Sequence, residues 1–334
     1  MPEAPDPSAS AFRTAVEAID AGDAGRLAEL LATDPDLATL HAPADFGDDG
    51  DGSQDSPFSS GHYEGYFHRP TLLHHVAGNP VRGPIPTNAA ELAEVLLDAG
   101  AEPDAPCGGG PSQPETAGGT TLGLVMSSRQ AVESEQAPGL IDLLIEHGAH
   151  AGIADGTLLW LALYHVVECR RQREAAEHLR RHHGVPVDLA CAAGLGELET
   201  VAGFYGKGGA LDLGAASLWR ARQKGAGRDD RGPTPAQILV EALAVAAANG
   251  RDAVVDYLLD RGVPPNVWAT YGPFRVSPLH CAAWAGWPAT CRLLLDRGAD
   301  ATVREPTHGG TAAEWAEHCG HEEVAKLIAS KSGS

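Results

Sequence analysis

Cationic side chains are scarce in this chain. Its 334 residues hold 24 Lys and Arg against 45 Asp and Glu, a formal net charge of −21. That balance excludes nonspecific nucleic-acid binding, which trades protein cations for condensed counterions. The same sign argument excludes acidic membrane surfaces. A strongly negative surface favours solubility and basic partners. Aromatic residues are only 5% of the chain, so Leu, Val and Ala must supply most of the buried area. The six cysteines (Cys107, Cys169, Cys191, Cys281, Cys291, Cys319) show no C-x-x-C pairing. Cys281 and Cys291, on different helices of one repeat, read as buried small side chains rather than a disulfide. The start, MPEAPDPSASAF, lacks a basic n-region and an apolar run, so no secretory signal is expected. No apolar stretch is long enough to span a bilayer. The expected location is the cytoplasm, with reduced thiols.

Motifs of chemistry are missing too. There is no G-x-S-x-G, no G-x-x-x-x-G-K-[ST] and no H-E-x-x-H. The run CGGGPSQPETAGG (107–119) has no preceding strand and no phosphate-reading Lys. Asp45, Asp48, Asp49, Asp51 and Asp55 fail the alternate-position spacing of a calcium loop. His178 and His182, four apart, share a helix face able to hold a metal, but EHLRRHH offers no acid or cysteine to complete four ligands. The reading is no catalytic residue, no cofactor and no metal.

What the chain does have is repetition. Residues 277–301 read SPLHCAAWAGWPATCRLLLDRGADA, and parts of that phrase recur. Ser277 suits a helix cap and Pro278 the first helical position. Leu279, Ala282 and Ala283 fall on one face of a short helix. Gly286 suits a positive-φ turn, Leu293–Leu295 form the centre of a second helix, and Gly298 ends it. Residues 243–262 and 311–328 repeat this register. The segments 71–74 with 92–101, 121–149, 189–201 and 11–40 repeat it more loosely, and 157–188 has no visible inter-helix glycine.

These phrases resemble the ankyrin repeat family, whose consensus runs TPLHxAAxxGHxxxxxLLLxxGADxN. The likeness spans roughly 11–330, about eight helix pairs of the family's ~33-residue period. It is that of a bacterial-type member with irregular N-terminal repeats. The resemblance implies an all-α solenoid of helix-turn-helix units with loop and hairpin insertions. The expected layout is a disordered N-terminus (1–10) and a single array (11–330). Within it, irregular repeats (11–235) carry insertions at 43–69 and 206–235, and regular repeats occupy 236–330. Long connections at 79–90 and 127–138 depart from a regular array. The resemblance also implies that His74 and His280, at the TPLH position, hydrogen-bond the backbone of a neighbouring repeat.

Individuality lies in three segments. The first, 43–69, is acidic in its first half and carries His62, Tyr63, Tyr66, Phe67 and His68 in its second. The second, 206–235, reverses the charge, with Lys207, Arg220, Arg222, Lys224, Arg228 and Arg231 around Trp219. The third, 264–277, lies where the family extends a finger-like hairpin. It holds Trp268, Tyr271, Phe274 and Arg275, with Trp284 and Trp287 following at positions that in the family face the concave groove. Trp, Tyr and Arg dominate binding hot spots. The expected partner-binding residues are Trp268, Tyr271, Arg275, Trp284, Trp287, Trp219 and Arg222. The implied function is an adaptor, monomeric, gripping a protein partner through groove and fingers. The alternative is a small-ligand binder or enzyme, with 43–69 as a lid and His62, Tyr66, His68 and the basic segment lining a pocket.

Overall fold

The computed structural model describes residues 7–43, 69–78, 84–107, 119–127, 129–150, 152–153, 156–164, 172–206, 209–212, 234–271, 274–306 and 308–331. The chain forms two compact units, 1–154 and 155–334.

Unit 1 is built from helix pairs. They are α1 (Pro7–Asp20) with α2 (Ala24–Thr33), α3 (Leu72–Ala77) with α4 (Ala89–Asp98), and α5 (Thr121–Ser127) with α7 (Ala137–Glu146). The connection at 127–138 contains a further short helix, α6 (Arg129–Glu133). The first helices stack in one layer, α1 on α3 on α5, and the second helices in another, α2 on α4 on α7. Helix α1 takes in residues 7–10, which the sequence reading placed in a disordered N-terminus.

Unit 2 repeats the plan. Its pairs are α8 (Thr157–Tyr164) with α9 (Gln172–His183), α10 (Leu189–Leu195) with α11 (Leu198–Gly203), and α12 (Pro235–Ala248) with α13 (Asp252–Asp260). Then come α14 (Pro278–Trp284) with α15 (Pro288–Asp296), and α16 (Ala312–His318) with α17 (Glu322–Lys331). Here too α8, α10, α12, α14 and α16 form one layer, and α11, α13, α15 and α17 the other. Between α13 and α14 the expected hairpin is present: β1 (Ala269–Tyr271) pairs antiparallel with β2 (Phe274–Val276).

Local chemistry explains these boundaries. The Ser277 hydroxyl accepts the His280 N–H, with Pro278 in the first turn. Asp188 caps α10 through the Cys191 N–H at 2.9 Å, and Thr311 and Glu314 form a reciprocal capping box on α16. The turn glycine Gly250 has φ +67°, and a Cβ there would lie 2.7 Å from the Trp287 ring. No other residue fits both the left-handed backbone and that contact.

Packing is dominated by Leu and Ala. Leu72, Leu73, Leu92, Leu96 and Leu140 are fully buried in unit 1, and Leu243, Leu258 and Leu294 in unit 2. Each contributes about 2 kcal/mol over remaining exposed. Small residues set the helix spacing. A Cβ at Gly194 on α10 would approach Val245 of α12 to 2.7 Å and Leu163 of α8 to 3.2 Å.

Successive pairs are joined at two recurring points. The first is the histidine of the TPLH phrase. In unit 1, His74 Nδ1 accepts the Thr71 N–H at 3.0 Å, and its Nε2 donates to the Gly119 carbonyl at 3.1 Å. In unit 2, His280 Nδ1 meets the Ser277 hydroxyl at 2.8 Å, and Nε2 donates to the Gly310 carbonyl at 3.1 Å. Both rings are buried. Desolvation drives the His74 pKa down to about 3 and lowers that of His280, so both stay neutral and keep the tautomer these bonds require. The second joint follows the second helix. Asp104 accepts the His150 N–H at 2.9 Å, and Asn266 accepts the Asp300 N–H at 2.8 Å.

A third set of contacts knits the irregular part of unit 2 to its regular part. Arg173 donates to the Asn249 carbonyl at 3.1 Å. The Asn249 amide donates to the Leu163 carbonyl at 2.9 Å, and Arg251 to the Gly194 carbonyl at 2.8 Å. Arg251 also pairs with Glu177. The outer layer adds ion pairs from Arg297 to Asp256 and Asp260.

Candidate functional site

Helices α14 and α16 and the hairpin before α14 bring several rings together on one side of the first-helix layer. Trp268, just before β1, lies 6.2 Å from the His280 ring. His280 meets Trp315 edge-on at 5.4 Å. Trp315 meets Trp284 at 4.9 Å, again edge-to-face, and Trp284 lies 6.0 Å from His318. His280 is buried, the three indoles are half-buried, and His318 is exposed. The row thus has a fixed inner anchor and an outer rim that solvent reaches.

The reason for this geometry is the repeat register. Trp284 stands seven residues after the cap Ser277, and His318 seven after the cap Thr311. Equivalent positions on adjacent first helices face each other at repeat spacing. Trp315 is added from inside α16 and lies over Gly310, where a Cβ would come within 2.8 Å of the indole. Arg304 spans from β-bridge to helix, pairing with Glu314 at 3.1 Å and donating to the Gly309 carbonyl. The Thr311 N–H and Arg304 hold the Glu314 carboxyl below its ordinary range. Arg275, on β2, is exposed.

Trp287 is placed elsewhere. It does not lie on the first helix but at the N-cap of α15, beyond the Gly286 turn. Its Nε1–H donates to the Ala248 carbonyl at 2.8 Å, its ring covers Gly250, and the Arg173 guanidinium sits 5.1 Å over it. These contacts make it a joint between α12 and α15 rather than a neighbour of Trp284. Tyr271 lies on β1 of the hairpin. Trp219, Arg222 and nearly all of the basic segment lie outside the described residues, as do His62, Tyr66 and His68 of 43–69. Trp315 and His318 were missed by the sequence reading. The signal available was the register: aligning Thr311 on Ser277 puts His318 in the place of Trp284.

The described cysteines form no disulfide. Burial raises Cys107, Cys281 and Cys291 to about 12, which keeps them as thiols and poor nucleophiles. No helix among the described residues is long and apolar enough to cross a membrane.

Comparison with known proteins agrees with this geometry. Residues 242–334 match the model of the ankyrin repeats, in three copies. The chain carries ankyrin repeats. The matched residues run from within α12 through α17, so the ring row lies wholly within the matched ankyrin repeats. Upstream, the His74 and Asp104 contacts have the same geometry as those of His280 and Asn266. No curated protein matches the chain.

Proposed function

We propose that this chain is a protein-recognition adaptor. Its contact face is the ring row of Trp268, Trp284 and Trp315, with His318 beside Trp284 and Arg275 on the neighbouring hairpin. The observation that carries the reading is the gathering of three half-exposed indoles from three separate elements, in a chain with only six tryptophans. Ankyrin repeats are in general protein–protein interaction modules, and large, stiff aromatic side chains are the residues that concentrate binding energy. We read the chain as a binding protein rather than an enzyme. We place it in the cytoplasm, because its described cysteines form no disulfide and Cys107, Cys191, Cys281 and Cys291 are buried. We read it as a monomer, because the outer side of α17 is polar (Glu322, Glu323, Lys326 and Lys331 are all exposed).

The test is a double variant, Trp268→Ala with Trp284→Ala, used as bait beside the parent chain in native lysate, with capture quantified by mass spectrometry. The specific partner should be lost, an affinity cost of about 2 kcal/mol or more, while the melting temperature stays within a few degrees. Trp287→Ala serves as the contrast and should lower the melting temperature. If the double variant melts as low as Trp287→Ala, the rings are core and the reading fails.

A further inference from the structure

The second-helix layer of unit 2 holds a polar cluster that the ring row does not use. Tyr257 stands near the end of α13, and Arg261 follows four residues on, at the helix C-cap. Residues four apart share a helix face. Tyr205 comes from the neighbouring pair, just past the end of α11, where it bridges to Leu211. The two phenol rings meet edge-on, with centroids 6.1 Å apart and planes at 73°. The Arg261 guanidinium lies over both, 4.4 Å from the Tyr205 ring centre and 5.0 Å from that of Tyr257. Gly209 closes one side: a Cβ there would lie 3.9 Å from Arg261 Nη1.

Each part of the cluster has donors to spare. The Tyr205 and Tyr257 hydroxyls are buried and, among the described residues, hydrogen-bond to nothing. A buried hydroxyl without a partner is costly, and two in one place call for an explanation. Among the described residues no carboxylate forms an ion pair with Arg261. The acids just before it in the chain, Asp256 and Asp260, are both held by Arg297. Nor is the guanidinium needed to cap α13, whose last carbonyls take the backbone N–H groups of Arg261, Gly262 and Val263. Tyr257 and Arg261 both act electrostatically on the Tyr205 hydroxyl, so the three polar ends share one neighbourhood. Burial raises that hydroxyl above its usual pKa and keeps it a neutral O–H donor. The rings are half-buried and Arg261 is exposed, so the guanidinium forms the rim that solvent reaches.

We propose that Tyr205, Tyr257 and Arg261 bind a phosphate group, as the free anion or as a phosphomonoester. All three supply donors and none supplies a carboxylate, which suits an oxyanion. A tetrahedral phosphoryl group has an oxygen for each of the three, whereas a planar carboxylate is short of one. Guanidinium suits phosphate in particular, since its fork of N–H groups matches two oxygens. Arg261 also gates the site. An exposed side chain changes rotamer within nanoseconds, and lifting the guanidinium off the rings opens the hydroxyls to the anion.

The experiment uses the full chain in phosphate-free buffer at fixed ionic strength. Inorganic phosphate, phenyl phosphate and acetate are titrated by calorimetry, and the melting temperature is followed with each. The expected result is one saturable site for inorganic phosphate or phenyl phosphate, a melting temperature raised by the bound anion, and no site for acetate. The tighter of the two phosphates identifies the source. Tyr205→Phe and Tyr257→Phe should each weaken binding about tenfold, the loss of one hydrogen bond to a charged group. Neither should lower the melting temperature without phosphate, because each removes an unpaired buried hydroxyl. Arg261→Gln should weaken binding about a hundredfold. Arg292→Gln, at an exposed arginine on α15, should change nothing. No saturable binding of either phosphate overturns the proposal. So does binding unchanged in Tyr205→Phe and Tyr257→Phe alike, or acetate bound as tightly as phosphate.

Discussion

Units 1 and 2 are made with the same joints and different surfaces. The TPLH histidine donates to a glycine carbonyl at 3.1 Å in both, although the partners stand 45 residues apart in unit 1 and 30 in unit 2. The amide after the second helix is held by Asp104 in one and Asn266 in the other, at 2.9 and 2.8 Å. The charges are not shared. Residues 1–154 hold 24 acidic against 5 basic side chains, and residues 155–334 hold 21 against 19. Nearly all of the net charge thus belongs to unit 1. Several unit 2 cations form ion pairs between helix pairs: Arg180–Glu197, Arg251–Glu177 and Arg297–Asp256. The lesson is that a few side-chain hydrogen bonds to backbone groups recur, while the surface is free to diverge.

All six tryptophans lie at or beyond Trp160. Indole fluorescence therefore reports unit 2 alone, and far-ultraviolet circular dichroism reports both, so the comparison can be broken unit by unit. The largest effect is expected from acid. Burial drives His74 down to about 3 and His75 to about 4, while the unfolded chain takes up those protons near 6.5. Their stabilisation is complete above pH 6.5 and drains away as pH falls toward 4. At pH 5 the two together cost unit 1 about 4 kcal/mol. Unit 2 has the single buried His280 of this kind among its described residues. In urea titrations at pH 5, the dichroism transition should move to lower urea ahead of the fluorescence transition. Coincident shifts would refute the difference.

Next comes deletion of the joint itself. His74→Ala and His280→Ala should each cost about 3 kcal/mol, from a lost buried hydrogen bond plus a cavity. The first should spare the fluorescence transition and the second should shift it. Unequal costs would mean the two joints are alike only in geometry. Asp104→Ala and Asn266→Ala should each cost about 1 kcal/mol in urea unfolding, since both sites are near solvent. Added salt has the smallest effect. Raising NaCl to 0.5 M shortens the screening length. It should stabilise unit 1 by relieving repulsion and leave unit 2 unchanged or slightly weaker. A stabilised fluorescence transition would contradict that assignment.

Much of the fold was legible because the repeat is written in caps and glycines. Ser277, Pro278, Gly286 and Gly298 each mark a boundary that depends on only a few neighbouring residues, and each is found in that role. The His74 and His280 bonds followed from the family likeness rather than from the residues alone, since their acceptors lie in loops of variable length. The site was less legible. Trp284 and Trp287 are three apart, yet the Gly286 turn sends them to different neighbours, which spacing along the chain does not reveal. Trp315 was hidden for the opposite reason: it is 31 residues from Trp284 and touches it through the stacking of α14 on α16. Unit 1 lies outside the family match, which covers residues 242–334.

The contacts of Arg173, Asn249 and Arg251 bear on how this molecule should be dissected. A fragment trimmed to the family match would start inside α12, after its Thr234 cap. It would strip Asn249 of Leu163, Arg251 of Gly194 and Trp287 of the guanidinium above it. The flank of α12 that meets α10, Val245 included, would be left bare to water. Such a fragment would be sticky for reasons unrelated to any partner, and binding measured on it would report the cut.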